Sequence, residues 1–475
     1  MDGVAANTSL PTMMSAWTDS RLFGALHDPM NSWRNNLGSG MSQTAPSPGL
    51  GVRQVLWMLL LLACTYRVWL VFHFNPLDHL WSDPKRHWDQ GIDVLRSDPM
   101  SMVDPLLYQL YVAALAKLTL KVPLLVAYWT SMLSLLGPWL WYRFLRELLP
   151  SRDLALAGWV LLAAMPSWSA LYSYFMQETL MLPLLGAALW ATWRARRKAG
   201  VGPFVVAVLM WMLAGLTRGI CLPLGLVALA MVWWQQGAKA ARLMASVALC
   251  AALLGPLAVR MHTFMSQWSP YGVGTLVQLY QRSGAREIQI TFQRGGSLWQ
   301  FGFTSPAILR PPFEPLSSWI SPRQGTANFL VDLDSSDGWD AAKARLPAWS
   351  WDRALTLTSD NLIHLFFSQS WPDTDMSRDI GLINHHLRWI WAPLTLLCLG
   401  MMWRRRHRLK APDAILPAML VTWFLVQGLF PLSVNEGRYR KPFEGLLIAQ
   451  LLWLIPRPRL PAGVGLQDHR PESAA

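Results

Sequence analysis

The chain has 475 residues, 53% of them hydrophobic and only 15% charged, with 28 Trp and 22 Met, a balance too apolar for an ordinary soluble enzyme. A net charge of +13 would suit nucleic acid, but the Lys and Arg residues collect in short runs between apolar segments, as orienting loop charges of membrane proteins do, and this argues against nucleic acid as a partner. The four cysteines, Cys64, Cys221, Cys250 and Cys398, each fall inside an apolar run without a CxxC pair or a His at metal-ligand spacing, so they read as packed thiols.

Residues 1–51 are rich in Ser, Gly, Asn, Pro and Met with no sustained periodicity and read as a disordered cytoplasmic tail. The apolar run after them lacks a small-residue cleavage site, which favours a retained first span over a removed signal peptide. Runs near the ~17–25 residues that cross a ~30 Å hydrocarbon layer fall at 54–74, 122–142, 154–174, 178–193, 202–217, 219–235, 243–260, 387–403, 413–433 and 442–456. With the N-terminus in the cytoplasm, Arg143/Arg146/Arg152, Arg194/Arg196/Arg197/Lys198, Lys239/Arg242, Arg404/Arg405/Arg406/Arg408/Lys410 and Arg457/Arg459 all lie on the cytoplasmic side. The expected fold is an all-α polytopic membrane protein of about ten transmembrane helices, with interfacial helices in the first outer loop and one larger mixed segment on the outer face. Its divisions are a transmembrane core at 52–260 with an outer loop at 75–121, a large periplasmic or luminal segment at 261–386, C-terminal spans at 387–456 and a cytoplasmic tail at 457–475.

The first outer loop holds the polar stretch Trp81-Ser82-Asp83-Pro84-Lys85-Arg86-His87-Trp88-Asp89-Gln90-Gly91. Asp83 lies just past the exit of the first span, between two Trp residues whose amphipathic rings favour the membrane interface. A carboxylate there can take a proton from a polar acceptor while a lipid-borne reactant waits in the bilayer; the same stretch also reads as a solvated loop with ordinary interfacial anchors. The spacing predicts a surface helix over Pro84–Leu95, capped by Ser82 or Asp83, a turn over Ser97–Val103, and a second interfacial helix over Asp104–Leu120 with Leu107, Tyr111, Ala114 and Leu118 on one face.

Positive charge is depleted from the outer turns, yet Arg218 sits in Leu216-Thr217-Arg218-Gly219, and Arg438, Arg440 and Lys441 flank Tyr439 after Asn435-Glu436-Gly437. An ionisable group near an apolar segment costs several kcal/mol unless paired or hydrated, so each marks either a functional site or a headgroup anchor. Guanidinium groups suit a phosphate, which they bind bidentately. Glu178, beside Gln177, is an acid in the same setting and a natural partner for one of these arginines. The segment 261–386 carries strand-like runs at Thr275–Leu279, Arg286–Phe292 and Phe329–Leu333, then a solvated acidic cluster, Asp332, Asp334, Asp337 and Asp340, whose spacing is not that of an EF-hand. Leu357–Phe367 reads as a stretch lying on the membrane again. No Walker loop, dinucleotide fingerprint, GxSxG elbow or HExxH pair occurs in a supporting context.

Taken in order, an Asp in the first outer loop, the Asp104–Leu118 pattern, the Gln177-Glu178 turn, the Leu-Thr-Arg turn at 216–218 and Arg438-Tyr439-Arg440 before the last span resemble the GT-C glycosyltransferases, and within them the branch of protein O-mannosyltransferases and the lipid A aminoarabinose transferase. The resemblance covers roughly 52–260 and 387–456 and rests on the order of the motifs. The family often shows an acidic pair at the loop position, whereas Asp83 is followed by Pro84, which leaves Asp78 and Asp89 open as the acid.

What the resemblance implies is inverting transfer of a monosaccharide from a polyprenyl-phosphate donor to a glycan, lipid or protein acceptor on the outer face. Asp83 then serves as general base, and Arg218 with Arg438 or Arg440 stabilises the departing phosphate. Lys85 and Arg86 are placed to hold the same phosphate or keep Asp83 ionised, with Asp89, Asp104, Glu178 and Tyr439 in support. Some relatives use a divalent cation and others do not; without a clear ligand cluster here, no obligatory metal or cofactor is expected. The absence of an N-x-S/T site from the outer segment and the excess of Arg over Lys point to a bacterial inner membrane with the site on its periplasmic face. Two other classes fit part of the pattern: a lipid-linked glycan ligase or polymerase, which would depend on Arg378, His385 or His386, and a transporter, for which no internal repeat is visible.

Overall fold

The structure is a computed structural model, and it describes residues 51–93, 96, 98–270, 273–304, 309, 311–320, 323–368, 387–406, 414–429 and 437–455. The two tails, the basic run Arg408/Lys410, and Arg378, His385 and His386 lie outside the described residues. The described chain is mostly helical. In order come α1 (Val52–His73), α2 (Ser82–Ile92), α3 (Leu106–Thr119), α4 (Pro123–Leu148), α5 (Arg152–Ala164), α6 (Gln177–Arg197), α7 (Val201–Gly215), α8 (Cys221–Gln235), α9 (Ala240–Met265) and α10 (Val273–Ser283). A small sheet follows, β1 (Glu287–Arg294), β2 (Ser297–Thr304) and β3 (Thr326–Asp332), then α11 (Gly338–Ala344), α12 (Trp351–Phe367), α13 (Trp391–Arg404), α14 (Ile415–Phe424) and α15 (Lys441–Leu454).

Among the described residues three helices are long and apolar enough to cross a membrane: α1 with 22 residues, and α4 and α9 with 26 each. A fourth candidate joins α5 to the turns at Pro166–Ser173 across a 59° bend. The helices α7, α8 and α14 are apolar but shorter. The outward residues of α1, including Trp57, Met58, Leu61, Leu62 and Trp69, are exposed, and α9 buries only Arg242, Met261 and Met265. Such apolar surfaces are what lipid would cover.

Prolines break the helical ladders, and one cation repairs two of the breaks. Pro138 inside α4 has no N–H, so the carbonyl of Ser134, four residues earlier, loses its partner. Arg67 of α1 donates Nε to that oxygen at 3.0 Å and Nη1 to the carbonyl of Ala163, at the end of α5 just before Pro166, also at 3.0 Å. Nη1 further reaches Ser169 Oγ at 2.8 Å, and the guanidinium lies 5.4 Å from the Tyr172 ring centre. Arg67 thereby ties α1 to α4 and to the bent span.

The core of the bundle is built on close contacts between small and large residues. Trp141 of α4 donates Nε1 to the carbonyl of Leu182 in α6 at 3.0 Å. A Cβ placed on Gly186 would come within 2.7 Å of its ring, and one on Gly445 of α15 within 2.5 Å. The two glycines therefore let α6 and α15 close on one indole. Gly445→Val is expected to cost about 1–3 kcal/mol through overpacking, read as a lower Tm of the solubilised protein, whereas the same change at Gly400, where nothing stands within 4 Å, leaves Tm unmoved.

Between α10 and α11 lies a three-stranded sheet in the order β2-β1-β3, with β1 antiparallel to β2 and parallel to β3. β1 and β3 fall where the strand-like runs stand. The strand expected at Thr275–Leu279 is instead part of α10: Leu276, Leu279 and Tyr280 are buried hydrophobic residues at i, i+3 and i+4, which is helical and not alternating spacing. β2 follows the turn Gly295-Gly296, whose φ values of 53° and 79° suit a tight hairpin. The sheet core includes Met102 and Val103 of the loop between α2 and α3, packed with Ile288, Ile290, Phe292 and Phe301. This small module thus rests on the loop that carries Asp104.

Candidate functional site

α2 begins at Ser82, two residues before the predicted start, with Trp81 in extended backbone as its N-cap and no side chain capping it. Asp83 is therefore in the first helical turn and its carboxylate is turned to other work. Oδ1 pairs with Arg86 one turn along the helix, and Oδ2 accepts from Arg438 Nη1 at 3.1 Å, across 355 residues of sequence. Asp83 and Arg438 are both buried.

Arg86 bridges to a second acid. Its Nε donates to Asp104 Oδ2 at 2.7 Å and Nη2 to Oδ1 at 3.3 Å, and the guanidinium stands 5.9 Å from the ring centre of Phe301 on β2. Asp104 Oδ1 also accepts from Gln177 Nε2 at 3.0 Å, at the first residue of α6. Gln177 Oε1 in turn accepts from Arg218 Nη1 at 3.4 Å, and Arg218 pairs with Glu178. The network closes on Tyr439: Arg218 lies 4.5 Å and Arg438 5.2 Å from its ring centre, and Arg438 Nη2 donates to its hydroxyl at 3.3 Å. Five segments far apart in sequence thus meet through Asp83, Arg86, Asp104, Gln177, Glu178, Arg218, Arg438 and Tyr439.

The loop under these groups is held by a buried amide. Gln109 Nε2 donates to Gln90 Oε1 and to the carbonyls of Ser101 and Asp104, at 3.1–3.2 Å, and Gln90 donates to the carbonyl of Met100 at 3.1 Å. Asp98 caps the short helix Pro99–Met102 by accepting from the Ser101 N–H at 3.0 Å. Trp88 stacks on Phe175 at 4.7 Å and locks α2 beside the start of α6. His87 is buried with Nδ1 3.6 Å from Asp104 Oδ2 and its ring edge-on to Tyr108. Burial lowers its pKa more than Asp104 raises it, so the imidazole stays neutral.

Burial would raise the Asp83 pKa, but Arg86 and then Arg438 outweigh it and hold the carboxyl well below the usual carboxylate range. Asp104, likewise buried, is held down chiefly by Arg86. Within the network three carboxylates, Asp83, Asp104 and Glu178, face three guanidinium groups, Arg86, Arg218 and Arg438.

The remaining sequence candidates stand elsewhere. Lys85 pairs with Asp89 at 2.7 Å on the exposed side of α2, and Asp78 is exposed in the turn Pro76–His79. Neither Asp78 nor Asp89 touches an arginine of the network. Arg440 is turned away: Nε binds Glu444 Oε1 at 2.9 Å, and Nη1 binds the carbonyls of Leu365 and Phe366 at 2.7 and 3.0 Å. Glu444 Oε2 accepts from Ser167 Oγ and Trp168 Nε1, both at 3.1 Å, so this pair joins α12, α15 and the bent span. Among the described residues no three His, Cys, Asp or Glu side chains gather as a metal ion would require. Of the groups that matter here, Gln177 and His87 carry no role in the sequence reading; a Gln beside Glu178 where an apolar helix starts is the signal that marks the former.

Comparison of the chain with protein-family models, with curated proteins and with solved structures finds no match.

Proposed function

We propose that the chain is a membrane glycosyltransferase that moves a monosaccharide from a polyprenyl-phosphate carrier to a glycan, lipid or protein acceptor, with inversion, at the periplasmic face of a bacterial inner membrane. The observation that carries this reading is the junction of Asp83, at the exit of α1, with Arg438, before α15, inside one network that also holds Arg86 and Arg218. An acid beside several guanidinium groups at a membrane exit suits displacement of a phosphate by a hydroxyl. Asp83 takes the acceptor proton, the acceptor oxygen bonds to the anomeric carbon, and the C–O bond to phosphate breaks with its electron pair. Arg438 and Arg218 receive the added negative charge on the phosphate. Phosphate is a good leaving group, so no acid partner is needed to protonate it.

In this reading α1, α4, α9 and the bent span are joined across the bilayer by α6, α7, α8, α13, α14 and α15, giving about ten spans. The 15-residue helices α7 and α8 rise only ~22 Å each, and α13, α14 and α15, with 14, 10 and 14 residues, rise less, so all five would need a locally thinned or hydrated bilayer. The direct test is incubation of purified protein with polyprenyl-phosphate sugars and a panel of acceptors, scoring release of the polyprenyl phosphate. Absence of release with every donor would sink the proposal. Lys85→Ala separates the network from mere positive charge near it. Since that side chain is an exposed partner of Asp89, turnover is expected within about twofold of wild type.

A further inference from the structure

The resting network leaves an incoming phosphate no unclaimed cation among Arg86, Arg218 and Arg438, because each already faces a carboxylate. It also engages both oxygens of Asp83 with cations, Oδ1 with Arg86 and Oδ2 with Arg438. The acid and the cations of the transfer machinery are thus paired to each other. Resting on the glycosyl-transfer reading above, we propose that the donor's phosphate takes Arg438 from Asp83, and that this exchange unmasks the base, so that donor binding must precede deprotonation of the acceptor.

The geometry distinguishes the two cations on Asp83. Arg86 shares a helix with it, one turn away, and is bound to Asp104 by two further hydrogen bonds. Arg438 comes from another part of the chain and meets Asp83 through a single nitrogen at 3.1 Å. It sits beside Tyr439, and Arg218 shares that ring, so movement of Arg438 away from Asp83 brings two guanidinium groups to one place. A phosphodiester offers two unesterified oxygens at the spacing a guanidinium fork matches, which the one-nitrogen contact to Asp83 does not use. With Arg438 gone, Asp83 regains proton affinity, because one of the two arginines that depress it is withdrawn. Asp83 Oδ2 then accepts the acceptor hydroxyl and takes its proton as the sugar carbon changes partners. Departure of the phosphate monoester returns Arg438 to Asp83 and restores the pairing.

The test uses full-length protein in lipid nanodiscs and farnesyl phosphate, a short monoester that mimics the released carrier, with farnesol as the uncharged control. The infrared difference spectrum on adding farnesyl phosphate is expected to show a shifted carboxylate band that farnesol does not produce and that Asp83→Asn abolishes. If Asp83→Asn does not fold, Asp83→Glu supplies the assignment by moving the band. In equilibrium binding, Asp83→Asn is expected to bind farnesyl phosphate about tenfold more tightly, since the competing charged hydrogen bond is weakened. Asp104→Asn, which removes a nearby charge that does not touch Arg438, is expected not to tighten binding. An unmoved Asp83 band with farnesyl phosphate bound, or equal tightening in both variants as simple charge repulsion would give, overturns the exchange and leaves the transfer reading intact. Failure of the wild type to bind farnesyl phosphate at all overturns the donor reading itself.

Discussion

Asp83→Asn is expected to lower turnover by about a thousandfold at saturating donor, within the ~10²–10⁴ that a positioned general base contributes. That loss corresponds to about 4 kcal/mol of activation free energy. The asparagine is nearly isosteric and keeps an oxygen for Arg438 or Arg86, so the local geometry survives while the ability to accept a proton does not. The effect should therefore fall on kcat and leave the donor's KM no higher than in wild type. Asp89→Asn is the matched control: Asp89 is on the same helix, two turns along, exposed, and paired only to Lys85 among the contacts described. Sugar transfer measured with both variants decides the matter. Normal turnover by Asp83→Asn with a confirmed donor would move the base elsewhere and remove the central step of the proposed mechanism.

Much of this geometry is legible in the sequence because it follows from charge in the wrong place. Asp83 shortly after an apolar helix, and Arg218 and Arg438 in turns beside apolar helices, are anomalies visible one residue at a time. Their meeting is not visible, because it depends on α15 closing against Trp141 through Gly445 and on the loop between α2 and α3 resting on the sheet through Met102 and Val103. The choice among Asp78, Asp83 and Asp89 was open for the same reason. Burial and an arginine 355 residues away separate Asp83 from the other two, and neither is a property of local spacing. Arg67 shows the converse case. Its position inside α1 is plain, but its partners are carbonyls freed by Pro138 and by the break before Pro166, on helices that only the fold brings alongside. The helix α10 is hidden for a simpler reason: Thr275–Leu279 has a β-like composition, and the helical spacing of Leu276, Leu279 and Tyr280 shows only when the next residue is included. β2 lies beside a Gly-Gly turn that signals a hairpin, and its alternation of Trp299, Phe301 and Phe303 with Gln300, Gly302 and Thr304 is a second signal that the sequence carries.

Arg440 illustrates how a cation near a site can serve the fold instead. Glu444→Ala is expected to destabilise the protein by about 3–5 kcal/mol, the usual loss when one member of a buried ion pair is removed and the other is left behind. Glu444 is 0% exposed and Arg440 3%, so neither can turn to water. The carboxylate also collects Ser167 Oγ and Trp168 Nε1 at the bend of the broken span, and Arg440 collects the last carbonyls of α12. Removing the acid would orphan an arginine, a hydroxyl and an indole N–H together, at the place where α15 begins and only a few residues from Arg438. The Tm of Glu444→Ala should fall steeply, and its expression with it. The double variant Arg440→Met with Glu444→Leu should recover part of the loss, since replacing a whole buried pair by apolar groups of similar volume is often tolerated. Activity per folded molecule of that double variant separates the two roles open to Arg440. If it retains most of its turnover, Arg440 is a structural strut; if Tm is unchanged in Arg440→Ala while donor affinity collapses, Arg440 belongs with the phosphate-binding groups and the division drawn between it and Arg438 is wrong.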